Sequence, residues 1–247
     1  MKIKEHCNWE DLAKNKPYSP LLASDGILKV DANDTPTPEF WQSGEEDLDA
    51  LLSVATTITG RDVSLTSSLD FGCGPGRLTL PLARRSLNVV GCDISPAMLN
   101  HVRQNAQAAG LLNVTFVTPE ALALLSDGQF SFVVSLLVLQ YIPRSQGYDI
   151  IRYIMRLLTS DGIAALHLVP APPGEALRQL VRIMAAWSRL TTRLATDNRT
   201  DSPNRMQMHM YDENVVHREI GRAKARLLAR IHAPVGDMPG VLLIVGK

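Results

Sequence analysis

The sequence has little of several features that would assign it to a specialised class. Its 247 residues include three cysteines, an odd number without the paired spacing of a disulfide framework or a zinc site, so we expect reduced thiols in a cytoplasmic protein. The 25 basic side chains equal the 25 acidic ones, so no net charge favours nucleic acid. No apolar run approaches the ~20 residues that span a bilayer, and residues 1–16 lack the apolar core of a signal peptide. We therefore expect neither a membrane partner nor export.

The balanced net charge hides an uneven distribution. Residues 1–70 hold 13 acidic and 6 basic side chains, whereas residues 175–232 hold 6 acidic and 11 basic ones. A predicted amphipathic helix over 174–194 places four arginines on one side. Two solvated faces of opposite charge would explain this pattern, and so would an anionic ligand, such as a carboxylate, a phosphate or RNA, near the basic part.

Short apolar runs alternate with helical periodicity through the middle of the chain. The runs predict strands near 67–71, 87–93, 113–117, 130–137, 162–169, 226–231 and 240–246. Helical segments separate the first five, so these strands are expected to be parallel and covered on both faces, and the last two are expected to form a hairpin. The sequence predicts a doubly wound, Rossmann-like α/β fold with a seven-stranded, mostly parallel sheet whose last strand is antiparallel.

Local signals mark the ends of two helices. The sequence SGEE at 43–46 is typical of a capping box and predicts a helix that begins there and ends near Gly60. Ser95 followed by Pro96 predicts the start of a second helix, and Gly110 predicts its end.

Three glycines alternate in LDFGCGPGRL, residues 69–78, directly after the first predicted strand. Glycine permits positive φ and lets a ligand approach the backbone, and ligands of open α/β sheets bind beyond the carboxyl ends of the strands. A tight turn with nothing bound is the alternative. Arg77 stands where a dinucleotide fingerprint has its third glycine, and the Asp70 carboxylate would repel a pyrophosphate but attract an ammonium or sulfonium group. The pattern disfavours a nicotinamide cofactor.

Asp93 ends the second predicted strand, 17 residues after Gly76. A carboxylate at this strand tip can accept hydrogen bonds from both hydroxyls of a ribose, and Ile94 offers an apolar wall to a base ring. The alternative is a carboxylate that caps the helix starting at Ser95.

These segments together resemble a known family. DFGCGPGR (70–77), GCDISPAML (91–99) and FVVSLLVLQYIP (132–143) occur in the order and spacing of class I S-adenosylmethionine-dependent methyltransferases, and the resemblance covers residues 66–169. It implies that Asp93 binds the ribose, that Ile94 and Met98 flank the adenine, and that the glycine loop holds the methionine part of S-adenosylmethionine. The loop residues are Asp70, Phe71, Gly72, Cys73, Gly74 and Gly76.

The chain departs from the family pattern after the third strand. The family usually has Asp-Ala there, touching the adenine amino group, whereas this chain has Glu120-Ala121. The longer glutamate either reaches the same atom or only starts a helix. Ser135, Leu136 and Leu137 end the fourth strand, where the resemblance places the methyl group. Ser-Leu-Leu-Val replaces the Asn/Asp-Pro-Pro-Tyr motif associated with planar-nitrogen acceptors, which resembles the small-molecule branch of the family.

Methyl transfer from a sulfonium requires alignment and exclusion of water more than a charged catalyst. His167, on the fifth predicted strand, is a candidate base, with a hydrogen-bonded core histidine as the alternative. His209 and Tyr211 lie in the segment 171–212, which we expect to cover the acceptor, with a surface loop as the alternative. The sequence indicates no metal site.

We predict that residues 1–42 form a lid, with Tyr18 and Trp41 on the substrate side; the alternative is that their aromatic rings only pin the segment to the sheet. Residues 43–247 would form the methyltransferase domain. We therefore predict methyl transfer from S-adenosylmethionine to a small-molecule acceptor, with S-adenosylhomocysteine as the product. A protein or RNA methyltransferase and a non-catalytic cofactor-binding subunit are the alternatives, although nucleic acid is not favoured. The oligomeric state stays open.

Overall fold

A computed structural model describes residues 9–18, 30–31, 33–172, 208–234 and 239–247. Within these ranges the strands are β1 (Ser67–Phe71), β2 (Asn88–Cys92), β3 (Val114–Val117), β4 (Phe130–Ser135), β5 (Leu158–Leu168), β6 (Arg226–His232) and β7 (Val241–Gly246). They form one sheet in the order β3-β2-β1-β4-β5-β7-β6. β7 runs antiparallel to both of its neighbours, and the other pairs are parallel. The predicted seven-stranded, mostly parallel sheet with an antiparallel last strand is confirmed.

Helices cover both faces of this sheet. They are α1 (Trp9–Asn15), α2 (Pro38–Thr59), α3 (Thr79–Arg85), α4 (Pro96–Ala108), α5 (Pro119–Leu122), α6 (Arg144–Leu157) and α7 (Glu213–Arg222), with a 3₁₀ turn at Leu139–Tyr141. The apolar sides of α6 and α7 pack on one face. The apolar sides of α2 and α3 pack on the other. The central strands β4 and β7 are therefore buried almost throughout, whereas the edge strand β6 is partly exposed.

The start of α2 differs from the prediction, because the helix begins at Pro38 rather than at the expected capping box. Ser43 lies inside the helix, where its hydroxyl donates to the Phe40 carbonyl at 2.8 Å. Gly44 follows at a point of close contact, since a Cβ there would lie 1.9 Å from the Arg77 carbonyl oxygen. The capping-box interpretation was wrong because these small residues serve contact between α2 and the glycine loop. The helix ends as predicted at Gly60, whose φ is 68°.

The predicted ends of α4 are confirmed. The Ser95 hydroxyl accepts a hydrogen bond from the Met98 backbone N–H at 3.1 Å, as an N-cap should, and Pro96 occupies the first helical position. Gly110 follows the last turn with a φ of 68°. These signals depend on neighbouring residues alone, which explains why the sequence sufficed to predict them.

Some predicted segments lie outside the described residues. These are the arginine-bearing helix over 174–194, the loop at 196–205, most of the acceptor-covering segment 171–212, and parts of the N-terminal segment 1–42. In the described part of the chain, no helix combines the length and the apolar character needed to cross a membrane.

Candidate functional site

The three alternating glycines form the turn between β1 and α3. The backbone N–H groups of Gly72 and Cys73 both donate to the Cys92 carbonyl, at 2.7 and 3.0 Å, which ties the turn to the tip of β2. Gly72, Gly74 and Gly76 have φ values of 85°, 53° and 102°. Glycine adopts such values without the steric cost that a side chain would bring.

Two of these glycines are also required by the packing of the chain itself. A Cβ at Gly72 would lie 2.2 Å from Val138, and a Cβ at Gly76 would lie 2.4 Å from Leu80. Ligand approach is therefore not the only reason that these positions lack a side chain. The third glycine, Gly74, contacts the next strand tip, because its backbone N–H donates to Asp93 Oδ2 at 3.0 Å.

Asp93 joins the glycine turn to the start of α4. Its Oδ2 accepts from the Gly74 N–H, and its Oδ1 accepts from the Ser95 N–H, both at 3.0 Å. Burial raises the pKa of Asp93, while hydrogen bonds from Ser95, Gly74 and Ile94 act in the opposite direction. Each carboxylate oxygen can accept a second hydrogen bond, so the capping role leaves capacity for a ribose hydroxyl.

Asp70 lies at the tip of β1 and is buried. Its Oδ2 accepts a hydrogen bond of 2.6 Å from the Thr79 hydroxyl. Burial raises the pKa of Asp70 to about 6, against the lowering effects of the Thr79 hydrogen bond and the Arg77 charge. A neighbouring cationic ligand would stabilise the ionised form of this carboxyl group.

The Arg77 guanidinium is engaged by α2. It lies 2.6 Å from an Asp47 carboxylate oxygen and donates to the Ser43 hydroxyl at 3.3 Å. Its charge is therefore compensated within the protein, and the site offers little attraction to a pyrophosphate.

An open cleft lies at the carboxyl ends of β1 and β4. The residues that border it are Asp70, Gly72, Cys73, Arg77, Leu78, Leu136 and Leu137. Leu137 has a φ of 62°, a left-handed conformation that is uncommon for a leucine. The sequence places Leu137 at this strand end, but it could not predict the backbone conformation, because a run of apolar residues carries no signal for a positive φ.

The residues assigned to the adenine side lie beyond the ends of β2 and β3. Ile94 is half-buried and Met98 is buried, while Glu120 and Ala121 are exposed at the start of α5. The Glu120 charge contributes to the raised pKa of the Cys92 thiol, after burial and the charges of Asp93 and Asp70. Glu120 thus belongs to the same sheet edge as the two aspartates. The side chain of Phe71 is part of the main hydrophobic core, so only its backbone is available to a ligand.

His167 lies near the end of β5, directly after the register partner of Ser135 and on the opposite face of the sheet. Its Nε2 lies 3.1 Å from the Ala233 carbonyl, which can only accept a hydrogen bond, so the proton is on Nε2. Its Nδ1 is buried without a hydrogen-bond partner. Burial lowers the pKa of His167, so the ring is neutral at pH 7.

The two residues expected to contact the acceptor differ in environment. The Tyr211 side chain is fully buried, and its hydroxyl is shared between the carbonyl oxygens of Leu139 and Ile142, at 2.8 Å each. This arrangement favours a structural role for Tyr211 instead of the expected substrate contact. His209 donates its backbone N–H to the Gln140 carbonyl at 2.6 Å, which places it at the end of the 3₁₀ turn.

The N-terminal aromatic residues form a cluster behind the glycine turn. Tyr18, Phe40 and Trp41 contact one another edge to face, with ring centroids 4.9 to 6.2 Å apart. Asn105 of α4 donates to the Tyr18 hydroxyl at 3.0 Å and to the Pro75 carbonyl at 2.8 Å. Tyr18 and Trp41 therefore hold the segment against α4 and the turn, as in the alternative interpretation.

α1, by contrast, reaches the carboxyl edge of the sheet. Glu10 accepts hydrogen bonds from the Ser95 hydroxyl at 2.7 Å and from the Ala97 N–H at 3.0 Å. The Trp9 ring contacts the Tyr141 ring edge to face, with centroids 5.2 Å apart. α1 thus spans from the tip of β2 to the segment that follows β4.

Within the described ranges, no group of three or more His, Cys, Asp or Glu side chains is arranged to hold a metal ion.

Comparisons with known proteins agree with this geometry. Residues 69–162 match the model of a methyltransferase domain family. The chain is 30 % identical over 116 residues to a ubiquinone biosynthesis O-methyltransferase of Psychrobacter cryohalolentis, which is 46 % of this chain and 44 % of that protein. It is 52 % identical over 48 residues to a 23S rRNA (uracil(1939)-C(5))-methyltransferase of Klebsiella pneumoniae, which is 19 % of this chain and 11 % of that protein. The chain spans less than half the length of these curated relatives.

Solved structures with the same fold cover more of the chain. The magnesium protoporphyrin IX methyltransferase of Synechocystis with bound S-adenosylhomocysteine superposes with a TM-score of 0.60 at 20 % identity, over 91 % of both chains. The [4+2]-cyclase SpnF superposes with a TM-score of 0.55 at 18 % identity, over 82 % of this chain and 81 % of that one. At such identities the similarity shows the fold, and the cyclase illustrates that this fold hosts more than one reaction.

Proposed function

Residues 69–162 belong to the methyltransferase domain family, and from this premise we propose that the chain transfers a methyl group from S-adenosylmethionine to a small-molecule acceptor. The observation that carries the proposal is a pair of carboxylates on either side of the glycine turn, the buried Asp70 and the half-buried Asp93. Both lie at strand tips, where open α/β sheets bind their ligands.

The residues present fit this cofactor. Asp93 accepts hydrogen bonds from the backbone N–H groups of Gly74, Ser95 and Ile94, and its carboxylate keeps acceptor capacity for a ribose hydroxyl. Burial raises the pKa of Asp70 to about 6, and a bound ammonium or sulfonium group would stabilise its ionised form. In our proposal Ile94 and Met98 flank the adenine, Glu120 and Ala121 approach its amino group, and the backbone from Gly72 to Gly76 holds the methionine part.

When bound, S-adenosylmethionine supplies an electrophilic methyl group. The protein's own contribution is alignment and exclusion of water, which can amount to ~7–11 kcal/mol of effective concentration. The apolar side chains of Leu78, Leu136 and Leu137 border the cleft and would exclude water from it. We assign the removal of a proton from the acceptor to His167 Nδ1, since the Nε2 proton is held by Ala233.

A small-molecule acceptor is supported by the match to an O-methyltransferase over 116 residues. The match to an rRNA methyltransferase is limited to 48 residues, so it gives little support to an RNA acceptor.

The proposal is tested by titrating S-adenosylhomocysteine into the protein and into Asp93→Ala by calorimetry. Asp93→Ala removes one or two hydrogen bonds to a charged group, at ~1.5–3 kcal/mol each, so affinity should fall roughly tenfold to several hundredfold or more. Asp62→Ala, at an exposed position, is the control and should bind as the unmodified protein does. NADH should bind to none of them. Undiminished binding to a folded Asp93→Ala protein would contradict the assignment.

A further inference from the structure

Two buried side-chain oxygens near the end of β4 have no hydrogen-bond partner. They are Ser135 Oγ and Gln140 Oε1, and the residues are 0 % and 1 % exposed. The large majority of buried polar atoms in folded proteins are hydrogen-bonded, because an unpaired one has lost its interactions with water and gained nothing in return. An unpaired buried oxygen next to a ligand cleft therefore indicates a contact that the ligand completes.

Both residues lie at the end of the sheet where the cleft opens, although neither lines the cleft itself. Leu136 and Leu137, which lie between Ser135 and Gln140 in the chain, border the cleft. The segment 208–211 crosses this region, because His209 donates its N–H to the Gln140 carbonyl and Tyr211 donates its N–H to the Val169 carbonyl. Ser135 is the last residue of β4, and Gln140 is in the 3₁₀ turn that follows. The end of β4 thus has apolar walls and two polar atoms.

The charges around the cleft restrict what these atoms can bind. A side-chain amide oxygen only accepts hydrogen bonds, whereas a serine hydroxyl both donates and accepts. Asp70 and Asp93 lie at the neighbouring strand tips. Among the described residues that border the cleft, the one basic side chain is that of Arg77, which is paired with Asp47. An anionic group would meet repulsion here, whereas a neutral group that donates a hydrogen bond would not.

We propose that Ser135 and Gln140 recognise the methyl acceptor as a neutral hydrogen-bond donor, a hydroxyl or an amine N–H, rather than as a carboxylate or a thiolate. This inference rests on the proposed methyltransferase function and specifies its acceptor chemistry. It also agrees with a neutral histidine at position 167, because a hydroxyl or amine acceptor must lose a proton during methylation whereas an anionic acceptor need not.

Stability measurements test the inference independently of turnover. Ser68 is the matched control for Ser135, because it is also a strand serine with 0 % exposure but its hydroxyl lies 2.8 Å from that of Ser86. Ser68→Ala should lower the melting temperature by about 2–4 °C, whereas Ser135→Ala should not lower it. Gln140→Leu, which replaces the unpaired amide by an apolar group of similar size, should raise it by a similar amount. A loss of stability in both Ser135→Ala and Gln140→Leu would overturn the inference, because it would show that these atoms serve the fold.

Acceptor discrimination provides the second test. We would compare phenol, aniline, benzoate and thiophenol, which share one ring and differ in the reacting group, with S-adenosylhomocysteine present for thermal-shift binding and with labelled S-adenosylmethionine for turnover. Phenol or aniline should stabilise the protein or accept the label, and Gln140→Leu should weaken that response about tenfold while S-adenosylhomocysteine binds to it unchanged. A preference for benzoate or thiophenol contradicts the inference. So does an equal response of Gln140→Leu and the unmodified protein to all four compounds, and so does the absence of a response in both proteins. Absence of S-adenosylhomocysteine binding would instead contradict the proposed function, and the serine comparison would still stand.

Discussion

Asp70 and Asp93 occupy the tips of adjacent parallel strands, yet their carboxylates have different hydrogen-bond partners. Asp93 accepts from two backbone N–H groups, whereas Asp70 accepts from one hydroxyl and is fully buried. Burial raises the pKa of Asp70 to about 6. Ionisation of this residue should couple cofactor affinity to pH.

The sign of this coupling follows from the direction of the pKa shift. Because the folded-state pKa lies above the ordinary value of 3.8, the folded protein is favoured at low pH, and this contribution is lost as the pH rises through about 6. The full effect is about 3 kcal/mol in the free energy of unfolding. Affinity for S-adenosylhomocysteine should change in the opposite direction and increase from pH 5 to 7, because its ammonium group requires the ionised carboxylate. Urea unfolding and calorimetry across this range, with Asp70→Asn as the reference, measure both effects. Parallel pH profiles for the two proteins would contradict the role of Asp70.

His167 offers a second test at the residue scale. His167 lies one residue beyond the register partner of Ser135, at the same end of the sheet, so we propose that an acceptor beyond the end of β4 is within its reach even though Ser135 is on the other face. We expect His167→Asn to lower turnover by ~10²–10⁴ and to leave affinity for S-adenosylhomocysteine unchanged. Asparagine can still donate to the Ala233 carbonyl, so the contact of β5 with the segment after β6 is kept. Since burial lowers the pKa of His167, turnover should persist below pH 6.5. Normal turnover in a folded His167→Asn protein would show that His167 is a structural core residue and not the base.

At the scale of elements, local patterns predicted some boundaries and failed at others. The ends of α4 follow from Ser95, Pro96 and Gly110, whose effects involve only their neighbours in the chain. The start of α2 could not be predicted from its local sequence. Ser43 and Gly44 resemble a helix cap, but they contact a loop more than 30 residues away in the chain. The buried position of Tyr211 was not predicted for a similar reason, since the carbonyl groups that its hydroxyl contacts, at positions 139 and 142, are distant in sequence. The glycine turn was predicted because positive φ is encoded by glycine itself.

The contact between α2 and the glycine loop yields a prediction for Gly44. Alanine has the higher helix propensity, by roughly 1 kcal/mol, but its Cβ would lie 1.9 Å from the Arg77 carbonyl oxygen. We expect the clash to dominate, so Gly44→Ala should be destabilised and should bind S-adenosylhomocysteine more weakly as the turn shifts. Gly221 in α7 is the control, because nothing lies within 4 Å of a Cβ there, and Gly221→Ala should gain ~0.5–1 kcal/mol. If chemical unfolding shows Gly44→Ala to be as stable as Gly221→Ala, the proposed close contact is wrong.

For the whole molecule, the sheet order explains where the site lies. β1 is flanked by β2 and β4, so the direction of strand addition reverses there and the loops after these strands diverge. The sequence was sufficient to predict a doubly wound, mostly parallel sheet with a ligand site beyond the strand tips, because alternating strands and helices with short connections leave few topologies. It was not sufficient to identify what covers the opening, since the contacts that position α1 join Glu10 to Ser95 and Trp9 to Tyr141, which are distant in sequence. The aromatic residues chosen as the lid, Tyr18 and Trp41, contact the outer side of the turn instead.

α1 is the element that we propose as the lid, because it alone among the described N-terminal residues reaches both sides of the cleft. Its Glu10 contacts the start of α4 next to Asp93, and its Trp9 contacts Tyr141 after β4. A bound cofactor that orders Asp93 and Ser95 would also order the partners of Glu10, so α1 should be held more firmly with ligand than without it. We expect saturating S-adenosylhomocysteine to slow limited proteolysis within residues 9–18 and to change tryptophan fluorescence.

Two variants separate the lid from a passive support. Trp9→Phe should abolish most of the fluorescence change, which assigns the signal to α1 and not to Trp41. Glu10→Ala removes both hydrogen bonds to the start of α4, so it should reduce the protection against proteolysis and lower kcat/KM while the core of the domain stays folded. Trp41 remains as an internal reference, because its ring contacts Tyr18 and Phe40, whereas that of Trp9 contacts Tyr141. Cleavage within residues 9–18 at the same rate with and without ligand, together with unchanged turnover in Glu10→Ala, would show that α1 is a fixed part of the fold and that the cleft is closed by another segment.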